Sequence, residues 1–66
     1  MSMHTNVLRL PETLKRVGLA RSTLYKAVRE GKFPAPILLS SRAVGWLQTE
    51  VDAWLEQRIQ LTRNRH

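Results

Sequence analysis

Three short stretches of this chain repeat their apolar residues at helical spacing, and two others alternate or run together as strands do. Leu10, Leu14 and Val17 recur at i, i+4 and i+7, one face of a helix barely two turns long. Pro11 suits its first turn, Glu12 suits the positive end of its dipole, and Gly18 suits a left-handed stop. A helix of this length does not stand alone in water, so its stripe must pack on a neighbour. After Leu19, expected to bridge into the core, a second helix is predicted from Arg21 to about Glu30, with Gly31 as its stop. At about 100° per residue, Ala20, Leu24, Ala27 and Val28 cluster on one side. Small residues on that face let two helices approach closely across a tight turn.

The rest of the pattern is built around this pair. Val7–Leu10 is a short β-like run, with Val7 and Arg9 on one side and Leu8 and Leu10 on the other. Lys32–Pro36 cannot be helical with two prolines so close, and Phe33 within it is a candidate core plug. Ile37–Leu39 and Val44–Leu47 read as a two-stranded hairpin whose tip is Ser40–Ala43, and Gly45 marks a candidate bulge. Val51, Trp54, Leu55 and Ile59 form the stripe of a third helix reaching to about Leu61. Thr49 is its expected N-cap, with Asp52 as reciprocal partner. Trp46 and Trp54 are assigned to packing between this helix and the hairpin. Residues 1–6 and 62–66 carry no periodicity and are expected to be loose. The fold class that results is mainly α with a small β-hairpin, a winged helix-turn-helix in one domain spanning 1–66.

Charge changes the picture more than composition does. The formal net charge is +6, and none of the excess lies in the third helix. From Val7 to Gln48, eight lysines and arginines face two glutamates; from Thr49 to His66, three arginines face three carboxylates. A basic half of this kind suits a polyanion, nucleic acid before membrane. A solvated surface that keeps a small protein soluble is the plainer alternative. No apolar run approaches the roughly 20 residues of a membrane span, the start lacks a signal-peptide pattern, and there is no cysteine. These features fit a cytoplasmic, nucleoid-associated protein without disulfides or thiolate metal sites.

Catalysis finds little support. The two histidines, His4 and His66, lie near the termini. Glu50 and Asp52 point about 200° apart on a helix, and Asp52–Glu56 is an ordinary solvated pair. No metal-ligand spacing, nucleophile constellation or phosphate-binding glycine loop is present, so no enzyme, cofactor or metal is expected. The outward face of the second helix is the better candidate. Ser22, Lys26 and Arg29 cluster about 160° from Leu24, with Thr23 and Tyr25 on the flanks. Hydroxyls bond phosphate oxygens, and arginine bonds guanine in a bidentate fork. Such a face beside a lean apolar one matches a recognition helix. A plain solvated helix face is the alternative. Arg42 at the hairpin tip fits a wing reaching a narrow minor groove, or else an idle turn residue.

The ordered set RLPE, a Gly-Leu turn, RSTLY, REGKFP, R-x-VGW and a final EVDAW resembles the AlpA family of small phage and prophage regulators, over Leu8 to Ile59. It is also similar to excisionases and to the winged-helix part of MerR-type regulators. The resemblance implies a winged helix-turn-helix that binds double-stranded DNA and controls phage genes, with Arg21, Ser22, Thr23, Tyr25, Lys26 and Arg29 as recognition-helix contacts and Arg42 as the wing contact. It leaves open a recombination directionality factor that bends attachment-site DNA. From the residues, a protein-interaction module docking on integrase or RNA polymerase through the third helix is a further alternative. The family commonly has serine where this chain has Ala20, so the second helix lacks a side-chain cap. One module offers little contact area, which points to a dimer or a cooperative array, yet no heptad run or spare apolar stripe marks where copies would meet.

Overall fold

The computed structural model describes residues 6–64. Its order is β1 (Val7–Arg9), α1 (Leu10–Val17), α2 (Arg21–Arg29), β2 (Ile37–Ser40), β3 (Ala43–Leu47) and α3 (Gln48–Arg63). The fold is a mainly α winged helix-turn-helix, but the wing belongs to a three-stranded antiparallel sheet of order β1-β3-β2. Periodicity could expose the strand character of β1 but not its partner, which lies some forty residues away: Leu8 sits opposite Trp46 and Arg9 opposite Gly45. Asn6, expected to be loose, is tied to the start of α3, where its carbonyl accepts the Gln48 N–H at 2.8 Å. The remaining expected loose start lies outside the described residues. At the other end, Thr62 and Arg63 complete α3 instead of fraying.

The core is small and aromatic. Leu8, Leu24, Phe33, Trp46 and Val51 are buried, each contributing roughly 1.5–3 kcal/mol if fully withdrawn from water. Trp46 is the hub. Its ring centroid lies 6.2 Å from both Tyr25 and Phe33. Its indole N–H donates to the Pro34 carbonyl at 2.7 Å, and that of Trp54 donates to the Lys32 carbonyl at 2.8 Å. The proline-bearing loop cannot satisfy its own carbonyls by forming a helix, so the two tryptophans do so and tie the loop to β3 and to α3. Phe33 plugs the core as expected, its ring 4.9 Å from Trp54.

Both glycine stops have φ near +70°, where a side chain would be strained. Gly18 N–H bonds the Leu14 carbonyl at 2.8 Å. At the end of α2, Lys32 N–H reaches Ala27 and Gly31 N–H reaches Val28, a Schellman pair that ends the helix one residue earlier than expected. Four local expectations need correction. Ala20 is exposed: it is the N-cap of α2, not part of its inner face. Thr49 does not cap α3, whose N-cap is Leu47, two residues earlier, and Asp52 binds Arg16 of α1 at 3.2 Å while its other oxygen accepts from the Gln48 side chain at 3.5 Å. The bulge falls at Leu39, between the Leu38–Val44 and Ser40–Ala43 pairs. Gly45 serves close approach, since a Cβ there would lie 2.6 Å from Val7 Cγ1 and 3.0 Å from the Leu8 carbonyl oxygen. The fully buried residue of α1 is Thr13, which pattern reading passed over; its hydroxyl donates to the Arg9 carbonyl at 3.0 Å.

Candidate nucleic-acid interface

The site begins with how α2 is held. Leu24 is completely buried, Ala27 and Val28 pack beside it, and the opposite side is left to solvent. Arg21, Ser22, Thr23, Lys26 and Arg29 are all exposed on this nine-residue helix. Tyr25 differs: it is half-buried, its ring tilted against Trp46, so it braces the helix from the flank.

The wing and the helix converge. Arg21 and Tyr25 of α2, Arg42 and Val44 of the hairpin, and Arg9 with Pro11 line one open cleft of about 330 Å³. Three arginines therefore border a single concavity. Arg9 was not among the residues singled out from sequence. Its outward position followed from strand alternation, but its place beside the wing depends on the pairing of β1 with β3. Arg42 lies in the two-residue turn Ser41–Arg42 between β2 and β3, exposed at the tip.

The electrostatics separate two kinds of cation. Arg16 meets Asp52, and Lys32 meets Glu30 at 3.5 Å. Among the described residues, the side chains of Arg9, Lys15, Arg21, Lys26, Arg29 and Arg42, and those of Arg58 and Arg63 on α3, meet no carboxylate. Charges of one sign left without partners raise the local potential over the surface they share. The described residues hold no group of three or more histidines and carboxylates able to bind a metal ion. No helix among them is long and apolar enough to cross a membrane.

Residues 6–59 match the family model described as prophage CP4-57 regulatory protein (AlpA). The chain is 46% identical over 52 residues to the uncharacterized protein ORF88 of Enterobacteria phage P4, covering 79% of this chain and 59% of that protein. It is 39% identical over 61 residues to the DNA-binding transcriptional activator AlpA of Escherichia coli (strain K12), covering 83% of this chain and 87% of that protein. A match over nearly all the described residues, on a fold of the expected class, places the chain in the AlpA family of prophage regulatory proteins.

Proposed function

We propose that this chain is a sequence-specific, non-catalytic DNA-binding regulator of prophage genes. Helix α2 enters the major groove, where Ser22, Thr23, Lys26 and Arg29 read bases or position the backbone. Arg42 lies on the neighbouring backbone or minor groove, and Arg9 and Arg21 hold the phosphate between helix and wing. The observation that carries this reading is the exposed, carboxylate-free cations of α2 together with the cleft that Arg9, Arg21 and Arg42 line between helix and wing. The description of the Escherichia coli relative as a DNA-binding transcriptional activator supports it.

The test is a genome-wide binding map followed by titration of the recovered duplex. Lys26→Ala and Arg29→Ala should each weaken binding by about 1–3 kcal/mol, roughly 5- to 150-fold, with the melting temperature unchanged. If about five phosphates are neutralised, affinity should fall roughly 10²–10³-fold between 50 and 200 mM salt. Unchanged affinity in both variants removes α2 from the interface.

A further inference from the structure

Of the predicted stripe Val51, Trp54, Leu55 and Ile59, Trp54 packs on Phe33, but along the line from Val51 through Leu55 and Ile59 to Thr62 the burial runs out. Val51 is fully buried and Leu55 is half-buried, but Ile59 is 41% exposed and Thr62 is open to solvent. At about 100° per residue these four lie within an arc of about 80°, one line running off the body of the protein. Leu55, Ile59 and Thr62 border a shallow groove of about 290 Å³, flanked by Arg58 and Arg63. From Glu56 to Asn64 every described residue is exposed, so about half of α3 stands clear of the fold. The side chain of Arg58, which lines the groove on one side, leans back over Trp54, 5.0 Å from the ring.

We propose that this face pairs with the same face of a second copy, the two α3 helices running antiparallel across a two-fold axis near Ile59. Charge placement favours this occupant. Glu56 and Arg63 project about 20° apart on the same flank of the stripe. In an antiparallel pair like flanks face one another, so Glu56 of each copy meets Arg63 of the other and two ion pairs form. Among the described residues neither side chain meets an opposite charge within its own chain. The same register sets Leu55 against Thr62 of the other copy, with the two Ile59 side chains near the axis. A parallel pair is disfavoured because the body of each copy packs at the same, N-terminal, end of α3. The antiparallel arrangement puts the bodies at opposite ends and closes the assembly.

The interface is small. Three stripe residues and their flanks bury far less than the roughly 800 Å² per partner of a stable complex. The pair is therefore weak in free solution and grows important when two copies already sit on one duplex. A two-fold pair calls for inverted half-sites, which doubles the roughly 600–1,000 Å² that a single module buries on DNA.

Sedimentation of the 66-residue chain without DNA tests this directly, so its outcome is independent of the DNA-binding reading. From about 10 μM to about 1 mM the average mass should rise from one copy towards two, as a weak dissociation constant requires. Ile59→Asp should hold the protein at one copy with an unchanged circular dichroism spectrum, because that side chain is not among those packed on the core. Glu56→Arg alone should weaken association about tenfold by turning two attractions into repulsions, and adding Arg63→Glu should restore it. A single copy at every concentration overturns the proposal, and an α3 that serves a different protein gives that result. Association that survives Ile59→Asp, or that the double exchange fails to restore, overturns it equally.

Discussion

Helices α2 and α3 each hang on one completely buried aliphatic residue, Leu24 and Val51, yet they treat charge in opposite ways. Helix α2 carries Arg21, Lys26 and Arg29 with no acidic residue from Arg21 to Arg29. Helix α3 mixes signs, and its Asp52 is spent within the fold on Arg16. A charge with a partner of its own holds elements together; a run of one sign without partners is left for something outside the chain. The glycine stops sharpen the contrast. Gly18 and the Schellman end at Gly31 bracket the corner and α2 closely, whereas α3 runs past the body before it ends.

The strongest way to break this contrast is to cut α2 loose. Leu24→Ala should cost about 2–5 kcal/mol, since the completely buried side chain leaves a cavity beneath the helix. In a chain of this size that approaches the whole stability, and denaturant titration should show a collapsed midpoint together with lost DNA binding. The Lys26→Ala and Arg29→Ala variants should do the opposite, losing affinity while keeping the fold. A smaller effect is expected at the helix start. Ala20 offers no side chain to the orphan N–H groups, and Ala20→Ser should add about 1 kcal/mol, raising the melting temperature by roughly 4–8 °C. A level or lower melting temperature would show that these N–H groups are not satisfied by a hydroxyl there.

The smallest effect tests the paired charges. Both sides of the Arg16–Asp52 contact are about half exposed, so Asp52→Asn should cost well under about 1 kcal/mol and less still at high salt. It would also add Arg16 to the carboxylate-free cations. Non-specific DNA affinity should rise slightly, and its salt dependence should steepen by at most about one counterion, read as the slope of log affinity against log salt. A large drop in stability would mean that the pair is structural in a way its exposure does not suggest.

Much of the site was readable without coordinates because helical faces are local. Ser22, Lys26 and Arg29 share a face by spacing alone, and the exposure of all three follows once Leu24 is buried. Arg9 was not readable as part of the site, because its neighbourhood with Arg21 and Arg42 arises from a strand pairing across most of the chain. Thr13 was missed for a related reason: a polar residue enters the core only where a hydroxyl can reach a carbonyl, here that of Arg9. The caps were misplaced where tertiary contacts competed. Asp52 accepts from Arg16 of α1 and from the Gln48 side chain of its own helix, and Thr49 is left out of the cap.

Taken alone, the order of apolar and polar residues determined the three helices, the corner between the first two, the turn-borne Arg42 and the basic character of one face, since each depends on neighbours a few positions away. Only the folded arrangement decided that β1 completes the sheet, that Gly45 lets Val7 approach, and that the stripe of α3 outruns the body it packs on. Those outcomes depend on which distant segments meet and how much surface each can cover, and spacing along the chain holds no measure of either.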